Sequence, residues 1–512
     1  MTRIFKVPVR RGGRMKRYCL PALLALLIVN HSIPADAAEV TVRGGLTTGV
    51  DLYDRNYTSE TDNTGVSPEF VSILPDDDQD DYQRVIVQPL IAVDRVTERS
   101  AFSLSYQPGF YYDFESEDDD IQQQATLDYS RGMSKNWKLS LNDRFLQADD
   151  ANSIQVADPA TGRAASQQLA GSETAAQAES TGNSDDQGRR KYTTNTLRLL
   201  SDWTYRQDSL FSLGYGYGIL RNDEDEARQQ DEDYDRHDIS AQLGHRLSQK
   251  WKMNLSGQYV RGLYDEPEAN DQATDADGET GSAENISDDV SEYHTAAGAE
   301  YNGIVRHPLS MDYRYSLYDY EDETEGDTQV HGLTFGWTWL HSPHLTFSLA
   351  AGPSYAETDG QDDTWGGNGE AGIDYVMEKA HFNFTLAKGL ERQNFTGETD
   401  DNGLIDYWDA RANYSRQLLE STTFSLFAGY RYEDQDELTE TSRGTSNLGD
   451  QFETINTQNL YAGCGLQYSF WKWYTVELSY RYGDQTSDNP EDEYDEHTVM
   501  LRLSFMKDFW RW

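Results

Sequence analysis

Apart from its start, the chain consists of segments of about ten to fifteen residues in which bulky apolar and small or polar side chains alternate. In AFSLSYQPGFYYDF, Phe102 and Leu104 lie on one face and Ser103 on the other, while Pro108 predicts a β-bulge. A period of two places successive side chains on opposite faces of a strand. Almost no segment has apolar residues at helical spacing, so the sequence predicts an all-β chain.

The connectors between these segments are alternately short and long. Short ones include Ser134-Lys135-Asn136, Ser342-Pro343 and Trp471-Lys472. The long connectors are hydrophilic, and the longest lie near residues 55–81, 149–189, 265–289 and 434–454. This alternation is typical of transmembrane β-barrels, whose strands need about 9–11 residues to cross a bilayer. We expect a closed antiparallel transmembrane β-barrel of about 18–20 strands, with short periplasmic turns and long acidic extracellular loops.

Composition narrows the function. The 512 residues carry a net charge of −46 and are only 37% hydrophobic, which alone would suggest disorder. However, 11 Trp, 33 Tyr and 18 Phe residues are far too many aromatic residues for a disordered chain. The acidic balance excludes nucleic acid as a partner, because neutralising phosphates needs a basic face. The two cysteines cannot form a disulfide framework.

The start of the chain has the three parts of a secretory signal peptide. A basic region precedes an apolar run from Leu20 to Val29, and Ala35-Asp36-Ala37 provides a small-residue cleavage site. We therefore expect residues 1–37 to be a signal peptide and residues 38–512 to form the barrel. The predicted location is the outer membrane of a Gram-negative-type bacterium, and its lipid is one expected partner.

The end of the chain carries a second signal. In HTVMLRLSF, Val499, Leu501, Leu503 and Phe505 share one face, as in the signal that the barrel-assembly machinery reads. Seven further residues follow Phe505, so either the last residue is the terminal aromatic or the strand overruns into the periplasm. The barrel-assembly machinery is therefore a second expected partner.

This ending and the repeated Tyr-Arg-Tyr pieces at residues 313–315, 430–432 and 480–482 resemble an outer-membrane β-barrel porin family found with exopolysaccharide biosynthesis and export genes. The resemblance implies a pore or export conduit, with polysaccharide and export proteins as partners. It implies no catalytic residues.

If the aromatic face meets lipid, the opposite face places a set of arginines in the lumen. Guanidinium groups bind carboxylate and sulfate in a bidentate way, so these residues could conduct an anionic sugar polymer. Alternatively, they pair with acids across strands and make the wall rigid. The candidates are Arg144, Arg198, Arg246, Arg314, Arg431, Arg481 and Arg502.

One acidic connector partly matches the spacing of an EF-hand calcium loop. Its candidate ligands are Glu398, Asp400, Asn402 and Asp409, but they do not lie between helices. The alternative is a solvated loop kept soluble by charge repulsion. We expect no cofactor.

Three functions remain open. The first is an outer-membrane channel or export conduit for exopolysaccharide or other polar solutes, and a general diffusion porin is a variant of it. Another is a barrel that anchors acidic loops for surface adhesion or for a cation-bridged structure. No HExxH or GxSxG motif occurs, so we do not expect an enzyme. The low-complexity tract 148–188 is either a surface loop or a constriction folded into the pore.

Overall fold

The structure is a computed structural model. It describes residues 39–57, 82–114, 119–148, 191–222, 233–264, 289–321, 326–359, 363–392, 394–395, 404–438, 452–488 and 493–511. The predicted signal peptide lies outside these residues, as do most of the predicted long loops.

The described residues form twenty β-strands. They are β1 (Glu39–Tyr57), β2 (Tyr82–Val96), β3 (Ser100–Asp113), β4 (Asp119–Gly132), β5 (Trp137–Ala148), β6 (Tyr192–Arg206), β7 (Ser209–Asn222), β8 (Tyr234–Arg246), β9 (Trp251–Tyr264), β10 (Val290–Tyr301), β11 (Leu309–Tyr320), β12 (Thr328–Ser342), β13 (Leu345–Thr358), β14 (Thr364–Val376), β15 (Ala380–Arg392), β16 (Leu404–Leu419), β17 (Thr422–Leu438), β18 (Phe452–Phe470), β19 (Tyr474–Ser487) and β20 (Tyr494–Arg511).

Each strand pairs antiparallel with the next, and β1 pairs antiparallel with β20, which closes the sheet into a barrel. Closure and the antiparallel all-β architecture are confirmed, at the upper end of the predicted strand number. The last strand continues past Phe505 to Arg511. No helix in the described part of the chain is long and apolar enough to cross a membrane.

The connections alternate in length, as the sequence predicts. Those that follow even-numbered strands are short, and those that follow odd-numbered strands are mostly longer. The two ends of the barrel are therefore different, and we call them the short-turn end and the long-loop end. The three-residue turn from β18 to β19 contains two residues with positive φ angles, Trp471 at 50° and Lys472 at 63°. Left-handed backbone of this kind is common in the short loops of β-hairpins.

The two faces of the wall differ in chemistry. On β1, the apolar side chains of Leu46, Val50 and Leu52 are exposed on the outer face, whereas Asp51 and Arg55 are buried on the inner face. The same alternation continues around the barrel, because the register keeps side chains of one parity on one face. Aromatic and aliphatic residues thus cover the outside, and most polar and charged strand residues point inward.

The predicted bulge at Pro108 is wrong. Pro108 pairs with Gln123 of β4 in regular register, and the register between β2 and β3 does not shift. That ladder instead lacks paired residues between Val87↔Phe110 and Ile91↔Tyr106. Pro89 lies in this gap directly opposite Pro108 in the same register, and neither residue has an N–H to donate. The prolines therefore interrupt hydrogen bonding without inserting a residue.

The register sets the width of the barrel. Tracing partners around all twenty strands returns to β1 displaced by about 24 residues, which corresponds to a strand tilt of roughly 40° and a diameter of roughly 40 Å. A barrel of this size cannot be filled by the side chains of its own wall.

Buried ion pairs cross the seam where the barrel closes. On the inner face, Glu496 of β20 accepts hydrogen bonds from Tyr53 Oη at 3.0 Å and from Arg55 Nη2 at 3.3 Å. Arg481 of β19 lies 3.5 Å from the same carboxylate. Because Glu496 is only 3% exposed, these donors hold together three strands in a place that water hardly reaches.

Candidate functional site

The hairpin of β15 and β16 separates from β14 at the long-loop end, while β16 stays paired with β17 as far as Ile405↔Gln435. Its pairing with β14 reaches only Gly369↔Lys388, although β15 and β16 continue to pair with each other as far as Arg392↔Leu404. The end of the hairpin is thus free of β14. We call Arg392, Asn394 and Phe395 the hairpin tip, and it contacts the inner face of β8–β12 inside the barrel.

Phe395 packs into an aromatic pocket on the inner face of β8 and β9. Its ring stacks on Tyr264 with centroids 5.8 Å apart, and it meets Tyr234 edge-on at 5.3 Å. The Arg236 guanidinium lies 4.7 Å from the ring centroid. Gly262 forms the floor, because a Cβ at that position would collide with the Phe395 ring. Only glycine at this position of β9 allows so close an approach.

Hydrogen bonds fix the backbone of the same residue. The Phe395 N–H donates to Tyr264 Oη at 3.1 Å, and Tyr234 Oη donates to the Phe395 carbonyl at 3.3 Å. The φ angle of Phe395 is 67°, a conformation that costs a non-glycine residue about 1–3 kcal/mol. The tip is therefore held in place by its contacts rather than by local backbone preference.

Asn394 anchors the tip to β10 and β11. Tyr320 Oη donates to Asn394 Oδ1 at 2.6 Å, and Asn394 Nδ2 donates to Glu292 Oε1 at 2.7 Å. Glu292 is completely buried, and its other oxygen lies 2.9 Å from His294 Nε2. A buried carboxylate needs such partners, so Asn394 completes a polar cluster that the wall alone would leave short of a donor.

Arg392 supplies a third anchor. Its Nη1 donates to Thr328 Oγ1 at 2.8 Å, and its guanidinium lies 4.3 Å from the centroid of the Tyr320 ring. Just before β12, burial raises the pKa of the Asp327 carboxyl, which accepts a hydrogen bond from the Tyr320 N–H. The three tip residues thus bind the inner face of neighbouring strands through distinct contacts.

An apolar cluster surrounds these anchors. It corrects the expectation that the inner face is wet throughout, because Val260, Val290 and Val330 occupy the inner parity and are buried. They are covered by the hairpin rather than by water. The cluster consists of Val260, Val290, Tyr318, Tyr320, Val330, Ala356, Leu390, Phe395 and Leu404. In this sector the hairpin narrows the lumen from one side.

The seven arginines predicted for the lumen all have the inner-face parity, but their surroundings differ. Four of them form ion pairs, and Arg314 on β11 also has partners. The pairs are Arg246 with Asp208, Arg431 with Glu391 and Glu433, Arg481 with Glu496, and Arg502 with Asp51. Pairing of this kind agrees with the structural alternative for these residues.

Arg144 and Arg198 are different. In the part of the chain that the structure describes, neither forms an ion pair or a hydrogen bond through its side chain. Arg144 lies exposed on β5, and Arg198 is half-buried on β6. A role for any of the seven arginines in contacting a solute stays a prediction.

The calcium candidates are only partly described. Asp409 lies on β16 and pairs with Arg411 at 2.9 Å, while Glu398, Asp400 and Asn402 lie outside the described residues. Among the residues described, no group of three or more His, Cys, Asp or Glu side chains could hold a metal ion. Calcium binding by this loop therefore stays a prediction.

Sequence reasoning missed the tip. The connector around residues 393–403 reads as one more hydrophilic loop, and the candidate for an inward fold was the tract 148–188, which lies almost wholly outside the described residues. One signal was present in the sequence: Val260, Val290 and Val330 place β-branched apolar side chains on the face that is elsewhere polar. Apolar side chains on this face indicate that another apolar segment of the chain packs against them inside the barrel.

Comparisons with known proteins give distant likenesses only. No protein-family model and no curated protein matches the chain. Among solved structures, a mutant ferric enterobactin receptor (PfeA) of Pseudomonas aeruginosa has 9% identity and a TM-score of 0.49, with 91% of this chain and 81% of that chain covered. The FrpB iron transporter of Neisseria meningitidis has 11% identity and a TM-score of 0.49, with 90% and 81% covered. Pseudomonas aeruginosa OpdQ has 10% identity and a TM-score of 0.38, with 92% of this chain and 98% of that chain covered. Likenesses this weak carry no functional information.

Proposed function

We propose that the protein is an outer-membrane channel for polar solutes. The observation that carries this proposal is the chemistry of the closed wall, which is apolar and exposed outside and largely polar inside. An apolar outer face is stable only in lipid, and the pairing of β1 with β20 leaves the sheet without a free first or last strand. A barrel of twenty strands is wide enough to enclose water.

A belt of paired polar side chains on the outer face supports a membrane setting. In each pair a tyrosine hydroxyl lies within hydrogen-bond distance of histidine Nδ1 on the next strand. Aromatic residues with one polar end are typical of the level where hydrocarbon meets headgroups. The pairs are Tyr215 with His237 at 3.1 Å, Tyr313 with His331 at 2.9 Å, and Tyr480 with His497 at 2.9 Å.

The hairpin tip makes the channel narrower than the barrel. Because Phe395 is only 4% exposed and firmly packed, the tip acts as a fixed obstruction that solutes must pass. The part of the lumen that the hairpin leaves open then determines the largest solute that can pass. The finer proposal, exopolysaccharide as cargo, rests on the resemblance of the chain's ending to a porin family associated with exopolysaccharide genes.

Planar bilayers test the proposal. Purified protein should give discrete ion-conducting steps, and proteoliposomes should swell in maltose, and less in longer maltooligosaccharides. A folded barrel that conducts no ions, even with the tip contacts removed by substitution, would overturn the channel proposal. Exopolysaccharide as cargo predicts that oligosaccharides well above the size limit of general porins still enter, and exclusion of all but disaccharides would refute it.

A further inference from the structure

Arg144 and Arg198 are neighbours on the inner face, and their surroundings differ from those of the ion-paired arginines. In the register, Arg144 of β5 is opposite Thr196 of β6, and Arg198 is opposite Asn142. The two arginines are therefore diagonal neighbours on adjacent strands. Side chains in that relation lie close enough to act on one ligand.

The nearby carboxylates are already engaged. Asp128 accepts a hydrogen bond from Asn142 Nδ2 at 2.7 Å, and Asp202 accepts one from Ser212 Oγ at 2.7 Å. Each belongs to the inner face of a strand next to the arginines or to the same strand. Neither forms an ion pair with Arg144 or Arg198. These acids accept hydrogen bonds from other donors, so among the described residues neither Arg144 nor Arg198 has a hydrogen-bonded counterion.

The third acid is occupied as well. Asp238 of β8 accepts from Arg236 Nη2 and from Gln258 Nε2, both at 3.0 Å. It attracts Arg198 electrostatically, but Arg144 and Arg236 repel the same guanidinium. Within the described part of the chain, the half-buried Arg198 guanidinium thus has no direct hydrogen bond or ion pair, which a buried charge normally requires.

Small residues separate Arg144 from Arg236 on the inner face of the wall. The register row that starts at Arg144 continues through Thr196 and Gly218 to Arg236. A Cβ on Gly218 would meet nothing closer than 3.8 Å, and Thr196 is also small, so no bulky side chain of this row lies between Arg144 and Arg236. Arg144 and Arg236 therefore lie at the two ends of a row whose middle residues are small, and Arg198 lies diagonally beside Arg144.

We propose that Arg144 and Arg198 form a binding subsite for the oxyanion of a solute, such as a carboxylate or phosphate group, that passes through the channel. The guanidinium fork matches such groups in a bidentate way, and two forks side by side can hold two oxyanions or one in a chelate. This inference rests on the proposed channel function and narrows its substrate class to anionic solutes.

The experiment compares R144Q/R198Q with the wild type in two assays. Calorimetry on detergent-solubilised protein measures the binding of trigalacturonate, with neutral maltotriose as the reference ligand. Inorganic phosphate is then added as a competitor. Competition by phosphate indicates a general oxyanion site, and its absence indicates a site specific for carboxylates. Planar bilayers measure the chloride-to-potassium permeability ratio and the block of current by trigalacturonate. We expect the double variant to lose at least tenfold in trigalacturonate affinity and to become severalfold less permeable to anions, with maltotriose unaffected.

Two further variants keep the result interpretable. R246Q removes an inner-face arginine that is paired with Asp208, and it should leave trigalacturonate binding within twofold of the wild type. R144K/R198K keeps both charges but loses the forks, so it should retain ion selectivity while binding trigalacturonate more weakly. A shift in gel migration between unheated and heated samples shows that each barrel is folded.

Equal trigalacturonate affinity in the wild type and in R144Q/R198Q would overturn the subsite, as would an equal loss in R246Q. Binding is measured without conduction, so a wild type that binds trigalacturonate but conducts no ions would refute the channel and leave the subsite standing. A wild type that conducts ions but binds no trigalacturonate would refute the subsite alone.

Discussion

The ring of Phe395 packs directly on the bare Cα of Gly262, in the space that any side chain on that part of β9 would take. Gly262→Leu should therefore expel the hairpin tip from its pocket. Overpacking costs about 1–3 kcal/mol at ordinary sites, which is enough to shift most molecules to the released state. We expect a larger single-channel conductance in planar bilayers.

Gly257→Leu is the matched control, because this glycine lies on the same strand with no atom within 4 Å of an added Cβ. Its conductance should equal that of the wild type. If Gly262→Leu also conducts like the wild type, the tip does not limit the pore.

Asn394→Ala should loosen the tip by another route. The substitution leaves the Tyr320 hydroxyl and the buried Glu292 carboxylate each short of a partner, at a cost of about 1–3 kcal/mol. Since Arg392 is buried in the intact tip, we expect trypsin to cleave after Arg392 roughly tenfold faster in the variant, measured by mass spectrometry of timed digests.

Asn142→Ala removes a comparable amide–carboxylate bond far from the tip and should not change the rate of cleavage after Arg392. Equal digestion of Asn394→Ala and the wild type would show that the Asn394 contacts do not hold the hairpin.

Glu496→Gln should destabilise the seam. The change leaves Arg55 and Arg481 without the carboxylate that they share, and removal of one partner from a buried ion pair costs about 3–5 kcal/mol. We expect a lower urea midpoint for unfolding in lipid vesicles, followed by tryptophan fluorescence. Glu39→Gln breaks the exposed pair with Arg511 and should change the midpoint little, because exposed ion pairs contribute about 0–1 kcal/mol. A similar loss in both variants would contradict the special role of the seam.

Lys472→Gly should stabilise the barrel. Lys472 has a φ of 63°, and a non-glycine residue in this left-handed region carries a penalty of about 1–2 kcal/mol that glycine avoids. The urea midpoint should rise. Lys379→Gly, in another short connection but without a positive φ, should lower the midpoint slightly through the greater entropy of the unfolded chain. A fall in both variants would mean that the Lys472 side chain contributes more than its backbone costs.

Much of the fold could be predicted from residues such as Leu46, Val50 and Asp51. Alternation is a local signal, and it fixes both the strand and its two faces. The register of a strand then follows from its neighbours, because a slip of one residue would turn apolar side chains inward. Even the tight Trp471-Lys472 turn could be located from the length of the connector, although its unusual φ angles could not.

The hairpin tip could not be predicted in the same way. The positions of Asn394 and Phe395 depend on contacts with Glu292 and Gly262, more than one hundred residues away in sequence. Nothing local distinguishes a connector that folds inward from one that extends into solvent. The ion pairs of the arginines could not be predicted either. Strand parity places Arg144 and Arg431 on the same face, but it does not show which carboxylates already have partners.

The departure of the hairpin also affects the strand that it leaves behind. Among the described residues, positions 364–368 of β14 are paired with β13 alone, over a length of about 16 Å toward the long-loop end. In the part of the chain that the structure describes, the ladder between β14 and β15 therefore stops short of the long-loop end. With fewer ladder hydrogen bonds to break, this corner of the wall should open more readily than a fully paired one.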